Sequence, residues 1–588
     1  MVIPSRAAAG PHDELRDAFE AVRPALRRAA AFSALAALLL LVPSWYMLEV
    51  YDRVVPTRNG TTLLMLTLLA VAGYAVLELL GWAAAALLQH AGIAFEARLS
   101  PRVFDLCFAR AARGAPPSLQ ALDDLRLLRD LLPGPAVRAA LELPVALAFL
   151  AVLAAMHGAL AGLALAAALA QAAIAFWNER QTRPALVAAA AGARDAQQHA
   201  ESALRNAESA AAMGMLPSLQ RHWQERQDRF LRLQAGASAR AGHWQVAARF
   251  VQTATGSALL GLSAWLLLRG QLGGQAGWLV VASVVGGRVL APLAALVAHW
   301  RGVVAARDAW QRLDQVLAAV PARAAGMPLP RPAGIVSAEN LIVPVPGTGT
   351  PVLKGVGFSL AAGEALAVIG PSGSGKTSLA RALVGLWPSV GGKVRLDGAD
   401  VCGWDKAELG PHLGYLPQGV ELLDGTIAQN IARFADGDPG AVEAAARQVG
   451  LHDWIVSLPR GYETPVGPEG LGLSGGQRQR LGLARALYGG PAFVVLDEPN
   501  ASLDTEGDAA LVSAIGQAKS AGTSFVVITH RTGVLALCEK VLVLADGQTQ
   551  VLGSRNEVLA ALEPAARSVA PQPPAARREP LPHVQETR

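Results

Sequence analysis

Six long runs of apolar residues occupy the first half of this chain, and they restrict its fold more than any other feature. They lie at about 29–49, 61–88, 139–156, 159–177, 246–268 and 277–300. Each approaches or exceeds the ~20 residues that a helix needs to cross ~30 Å of hydrocarbon. The third and fourth are separated only around His157 and Gly158, which reads as a tight helical hairpin. Six membrane spans are therefore predicted. Composition agrees: 52% of the 588 residues are hydrophobic and only 16% are charged, against ~25% charged in soluble domains. A purely soluble enzyme, a disordered chain and a fibrous repeat are all excluded. The net charge of +5 is too small at this length to argue for nucleic acid as a partner. Cys107, Cys402 and Cys538 lie far apart and fit no metal spacing, so they read as buried or idle thiols in a reducing compartment.

Arginine sets the expected orientation, because no lysine precedes Lys354. Residues 1–28 are polar, contain Asp13, Glu14 and Asp17, and do not resemble a cleavable signal peptide. Five arginines lie in that segment, seven follow the second span, and ten lie between Arg180 and Arg249. The opposite face holds only Arg53, Arg58 and Arg269. Positive charge stays on the cytoplasmic side, which predicts a multi-pass protein of a bacterial inner membrane with both termini cytoplasmic. The two inner stretches have helical apolar spacing, with Pro116-Pro117 and Pro217 as the notable breakers. Paired helices of ~25 residues would extend ~37 Å below the membrane. A short helix is expected at each tip, around 122–131 and 206–216. Trp45, Trp82, Trp177, Trp278 and Trp300 read as interfacial anchors. Arg288 and Glu78 fall inside spans, where an ionisable group faces a cavity or a partner.

After Arg312 the apolar runs stop, and short strand-like runs alternate with helical ones, as in an α/β domain. The expected organisation is an N-terminal segment (1–28), a helical membrane domain (29–315), a linker (316–334), an α/β domain (335–563) and a disordered tail (564–588). Within the α/β part, Gly370-Pro371-Ser372-Gly373-Ser374-Gly375-Lys376-Thr377, with Ser378 beside it, follows a strand-like run and opens a helix. That is the phosphate-binding loop in both sequence and context. Its glycines let backbone amides turn inward, and the helix N-terminus favours an anion. Lys376 is placed to neutralise β/γ-phosphate charge, and the Thr377 hydroxyl to ligate Mg²⁺. The apolar run at 493–496 ends in Asp497, a candidate metal ligand, and Glu498, a candidate for polarising the attacking water. Ser474-Gly475-Gly476-Gln477 opens another helix and forms a second anion-binding start. One γ-phosphate does not need two such starts on one chain, so they are expected to meet across a dimer.

At these residues the chain resembles the ATP-binding cassette (ABC) transporters. Gln418 in Leu416-Pro417-Gln418 resembles the family's glutamine loop, which the resemblance assigns to sensing metal and the membrane domain. Leu473–Gln477 resembles the family signature, Asp504 lies in a segment similar to its dimer-contact loop, and His530 resembles the switch histidine. The implied fold is an α-helical six-span transmembrane domain of the ABC exporter type followed by an α/β P-loop nucleotide-binding domain. ATP and Mg²⁺ are the implied cofactors, and a homodimer the implied assembly. Two positions depart from the family pattern. The register of the adenine-stacking aromatic falls near Pro344, with Trp404 as a remote substitute ring, and Val466-Gly467-Pro468-Glu469-Gly470 carries Pro where many exporters have Glu.

The membrane half is similar to type I secretion ATPases at Tyr46–Pro56, at Leu204–Glu208 with Met213–Leu216, and at Gly287–Pro292. The resemblance implies the protease-, lipase- and S-layer-exporting branch, without an N-terminal peptidase domain. Such proteins dock a periplasmic membrane-fusion adaptor and an outer-membrane channel, and they export unfolded proteins bearing a C-terminal secretion signal. A lipid or small-molecule exporter with the same cassette is the alternative. An ATP-gated membrane protein that transports nothing is a third reading, against which stand Lys376, Glu498 and His530.

Overall fold

The structure is a computed structural model that describes residues 14–114, 118–272, 277–319, 328–346, 349–467 and 472–568. The chain divides into two compact units, one formed by residues 1–109 and 117–323, the other by 110–116 and 324–588. The described residues of the first are almost all helical. Its elements are α1 (Glu14–Leu39), α2 (Val42–Glu49), a π-turn at Val50–Val54, α3 (Val55–Thr57), α4 (Gly60–Ala112), α5 (Gln120–Leu131) and α6 (Pro135–Met156). Then come α7 (Gly158–Arg205), α8 (Ala207–Ala212), α9 (Leu216–Leu268), α10 (Gly277–Ala298) and α11 (Trp300–Ala319). Six helical segments among the described residues are long and apolar enough to cross a membrane. Their outer faces remain unburied, as at Leu64, Leu68, Leu79 and Trp82, as expected where lipid rather than protein covers a helix.

Local chemistry explains where these helices start and stop. α1 takes in residues 14–28 of the segment read from sequence as a polar extension. Leu15, Ala18 and Val22 recur there at helical spacing and pack in one core with Phe95, Leu99 and Val103 of α4. His157 is extended and its ring caps Ala159 N at 3.1 Å, which makes the hairpin between α6 and α7. The tip helix expected at 206–216 is only Ala207–Ala212. Pro217 instead occupies the first turn of α9, where its missing N–H would be unsatisfied anyway. Below the spans, Arg312 forks onto Asp124 of α5 at 3.0 and 2.6 Å, and Arg129 reaches Glu96 at 2.7 Å. Glu78 lies on an exposed face of α4, whereas Arg288 is half-buried and within electrostatic reach of Glu142 on α6.

The second unit is built on a six-stranded sheet in the order Gln548–Ser554, Lys540–Ala545, Ala365–Ile369, Ser524–Ile528, Phe493–Asp497, Leu413–Leu416. All neighbours are parallel except the first pair. Alternate residues of the central strands enter two cores: Ala365, Ala367, Val494 and Leu496 face one, and Leu366, Val368, Phe493 and Val495 the other. Strands covered on both faces read as unbroken apolar runs, which is the pattern at 365–369 and 493–496. A second, antiparallel sheet contains Val336–Pro344, Pro351–Leu360 and Gly391–Leu396. Burial pushes the Cys538 thiol up to about 12, which keeps it inert. The helix Arg555–Ser568 runs past residue 563, the expected domain end. The expectations placed on Pro116-Pro117, residues 320–327 of the linker, Pro468–Gly470 and the tail beyond 568 lie outside the described residues.

Candidate functional site

Three parallel strands deliver the site to one edge of the sheet. Ile528 is level with both Val368 and Asp497. Everything that follows these strands therefore leaves from the same edge, the crevice where open α/β sheets bind ligands. The loop 370–375 comes first. Gly375 has φ +100, and a Cβ there would stand 3.0 Å from the Leu353 side chain, so glycine is needed both for the turn and for the close approach. The helix Lys376–Leu383 begins at once. Lys376 is 8% exposed, and its Nζ donates to the carbonyls of Gly370 at 2.7 Å and Pro371 at 2.9 Å. The ammonium is thus already folded over the loop whose anion it would neutralise. Ser374 Oγ is buried without a hydrogen-bond partner, a polar atom that a bound phosphate would satisfy.

Asp497 ends the next strand and is 1% exposed. Burial pushes its carboxyl above the ordinary carboxylate range, and the neighbouring Thr377 hydroxyl, hydrogen-bonded to it, offsets part of that rise. Its Oδ2 has no hydrogen-bond partner. A buried carboxylate oxygen left over beside a hydroxyl fits a hard cation, and Mg²⁺ takes all-oxygen ligands of this kind. Glu498 follows with φ +50, a left-handed conformation that costs a non-glycine residue ~1–2 kcal/mol. Its N–H donates to Ile528 O at 2.9 Å, which holds the turn. The turn aims the carboxylate at Gln418, whose Nε2 donates to Glu498 Oε2 at 2.9 Å. Residues eighty positions apart in sequence thereby meet.

His530 lies two residues past Ile528 on the same edge; it is exposed and makes no hydrogen bond among the described residues. Thr529, buried beside it, approaches Asn500 at 3.5 Å and accepts from Arg531 N at 3.1 Å. Ser474 starts the helix Gly475–Leu487 with a reciprocal cap: Ser474 Oγ accepts from Gln477 N at 3.2 Å, and Gln477 Oε1 accepts from Ser474 N at 2.9 Å. Gly475 and Gly476 lie against Ser502. Among the described residues, no hydrogen bond joins Ser474–Gln477 to the phosphate loop of the same chain. Asp504 caps the helix Thr505–Ser520 through Gly507 N at 2.8 Å. The structure therefore brings Lys376, Thr377, Asp497, Glu498 and Gln418 together, and leaves the Ser474 group at a separate, exposed helix start.

One further feature was not foreseen from sequence. Gln479, 4% exposed, donates to Pro499 O at 3.0 Å and Glu498 O at 3.5 Å, tying the Ser474 helix to the turn that carries Glu498. A signal was present: Gln479, Leu483 and Leu487 form one helical stripe, and an amide on an apolar stripe needs a partner. Near the expected adenine position, Pro344 ends its strand and Val345 N donates to Thr350 O at 2.9 Å, so the register holds no ring. Trp404, the substitute, is 5% exposed and packed in the core. It is unavailable for stacking.

Residues 353–501 match the family described as ABC transporter. The "Type I secretion system ATP-binding protein PrsD" of Rhizobium meliloti is 39% identical over 536 residues, covering 90% of this chain and 91% of that protein. An "ATP-dependent lipid A-core flippase" of Saccharophagus degradans is 35% identical over 211 residues, 36% of each chain. A solved structure described as a bacterial Atm1-family ABC exporter with ATP bound shares the fold with a TM-score of 0.82 at 22% identity, over 94% of this chain and 99% of that one.

Proposed function

The chain belongs to the ABC transporters of type I secretion, and from that premise we propose that it is the ATP-driven inner-membrane permease of such a system, exporting proteins. The observation that carries the reading is the extent of the match. Similarity to a secretion ATP-binding protein runs through 90% of the chain, whereas the lipid flippase matches over 36%.

In this reading the loop 370–375 wraps the triphosphate of ATP and Lys376 leaves its carbonyl partners to meet β/γ-phosphate oxygens. Mg²⁺ held by Thr377, Asp497 and Gln418 would neutralise charge on those oxygens. Glu498 orients and deprotonates the attacking water, and Gln418, bonded to it at 2.9 Å, holds its carboxylate in place. His530, free of other bonds on the same edge, faces the γ-phosphate. Ser474–Gln477 and Asp504 act on the partner's nucleotide, because the Ser474 helix start is exposed and makes no bond to its own loop. Two chains then form a homodimer with two shared sites. Both termini are cytoplasmic, and the outer ends of the spans meet a periplasmic adaptor that leads to an outer-membrane channel. The cargo is an unfolded protein with a C-terminal signal.

The test is ATPase activity of purified dimer against two ligands: a protein carrying a C-terminal secretion signal, and the same protein without it. Stimulation that depends on the signal supports the reading. Stimulation by amphipathic lipids alone, with no response to the signal, would replace it with a lipid exporter.

A further inference from the structure

A cleft of about 450 Å³ opens between α7 and α11 of the helical unit, lined by Phe176, Glu179, Arg180, Arg183, Pro184 and Arg307. Its charges are uneven. Arg183 pairs with Asp308 at 3.5 Å and Arg307 with Glu179 at 3.6 Å. Both acids are thereby engaged, and Arg180, exposed, has no acidic partner among the described residues. One guanidinium is left over, and those of Arg183 and Arg307 keep donors to spare, since each holds its acid through a single long contact.

Depth along α7 says what that cation meets. Trp177 lies nineteen residues from the hairpin at Gly158, about 28 Å along a helix, which is close to the full thickness of the hydrocarbon core. Phe176 and Trp177 are 56% and 50% exposed and lie edge to face, 6.2 Å apart. Amphipathic rings of this kind mark the membrane–water boundary. Arg180 follows within one turn, at headgroup level. A basic cleft between membrane helices at that depth recognises phosphate headgroups, and guanidinium groups bond phosphate oxygens in forked pairs.

We propose that this cleft binds an anionic phospholipid of the cytoplasmic leaflet. Arg180 contacts the phosphate, the free donors of Arg183 and Arg307 close around it, and Phe176, one turn toward the membrane, packs on the glycerol and upper acyl carbons. The apolar side wall favours a lipid over free phosphate, and the surplus positive charge disfavours a choline headgroup. A lipid seated there bridges α7 to α11, the helix that continues the sixth span. Assigning the site to the cytoplasmic leaflet rests on the orientation proposed above.

The test compares the purified full-length transporter with its Arg180→Gln and Arg180→Lys variants in nanodiscs of phosphatidylcholine, alone or mixed with phosphatidylglycerol. Native mass spectrometry then counts the lipids retained. Phosphatidylglycerol retention should fall about fivefold in Arg180→Gln, the equivalent of ~1 kcal/mol per basic residue at an anionic surface. Retention should stay near the parent's in Arg180→Lys, with phosphatidylcholine unchanged in all three. Equal phosphatidylglycerol retention by Arg180→Gln, with the parent's melting temperature showing it folded, overturns the proposal. Displacement of the lipid by equimolar inorganic phosphate also overturns it, by making this a simple anion site. Nanodiscs expose both leaflets, so lipid retention does not depend on orientation. Labelling of Arg180→Cys by an impermeant thiol reagent reads orientation separately: labelling only from the periplasmic side refutes the leaflet assignment alone.

Discussion

Replacing Glu498 by Gln separates chemistry from binding at this site. The substitution keeps the shape of the side chain and an oxygen that can still accept from Gln418 Nε2, now 2.9 Å away. The backbone bond from residue 498 to Ile528 O and the left-handed turn are untouched, so the fold should change by less than ~0.5 kcal/mol. Lys376, Thr377 and Asp497 keep their positions, and ATP affinity should stay within about threefold of the parent's, since nothing that touches phosphate has changed. Only the base is lost. Proton abstraction by a positioned side chain is worth about 10²–10⁴ in rate, or ~2.7–5.4 kcal/mol of barrier. Steady-state ATPase activity of purified dimer should fall by that factor, and filter binding should recover unhydrolysed ATP on a dimer that no longer opens. Turnover within tenfold of the parent, with binding intact, would remove Glu498 from the role of base. A loss of affinity greater than tenfold would instead place it among the binding groups.

Asp497→Asn should raise the melting temperature of the nucleotide-free protein while abolishing Mg²⁺-dependent hydrolysis, because burial disfavours the Asp497 charge; a lower melting temperature would contradict the burial argument. Arg433, half-buried with φ +58, donates to the carbonyls of Gly410, Leu413, Arg485, Ala486 and Tyr488. Arg433→Met should cost about 3 kcal/mol in unsatisfied carbonyls, seen as a drop of about 10 °C in thermal unfolding. The Lys540 ammonium, 2.8 Å from Glu364, holds that carboxyl below its usual range. The stability it contributes is present above the unfolded carboxylate value and is lost as pH falls through the lower folded value, on the acid side of the ordinary glutamate range; Glu364→Gln should flatten that part of a melting-temperature profile. With no ring at Pro344 and Trp404 buried, the ~1–3 kcal/mol of base stacking is missing. GTP should therefore compete with ATP within about tenfold, and an ATP preference of several hundredfold in a competition assay would show that another ring reads the base.

What the sequence determined by itself is whatever depends on neighbouring residues. A membrane span is a property of about twenty consecutive side chains, because the solvent that covers them is uniform, so six spans were legible without any contact map. The loop 370–377 was legible for a similar reason: its ligands are its own consecutive amides, and the strand before it and the helix after it show in the apolar pattern. The tertiary structure alone decided how distant segments meet. Nothing near Gln418 announces that its amide bonds Glu498, and nothing around Glu498 predicts a left-handed turn, since the residue adopts it only because Ile528 O waits on the adjacent strand. The packing of Leu15, Ala18 and Val22 needed the partner face of Phe95, Leu99 and Val103, and the five carbonyls around Arg433 come from segments up to fifty-five residues away. The difference is physical. Hydropathy and backbone turns act along the chain and can be read from it, whereas a buried polar group is stable only with partners, and the folded topology chooses them.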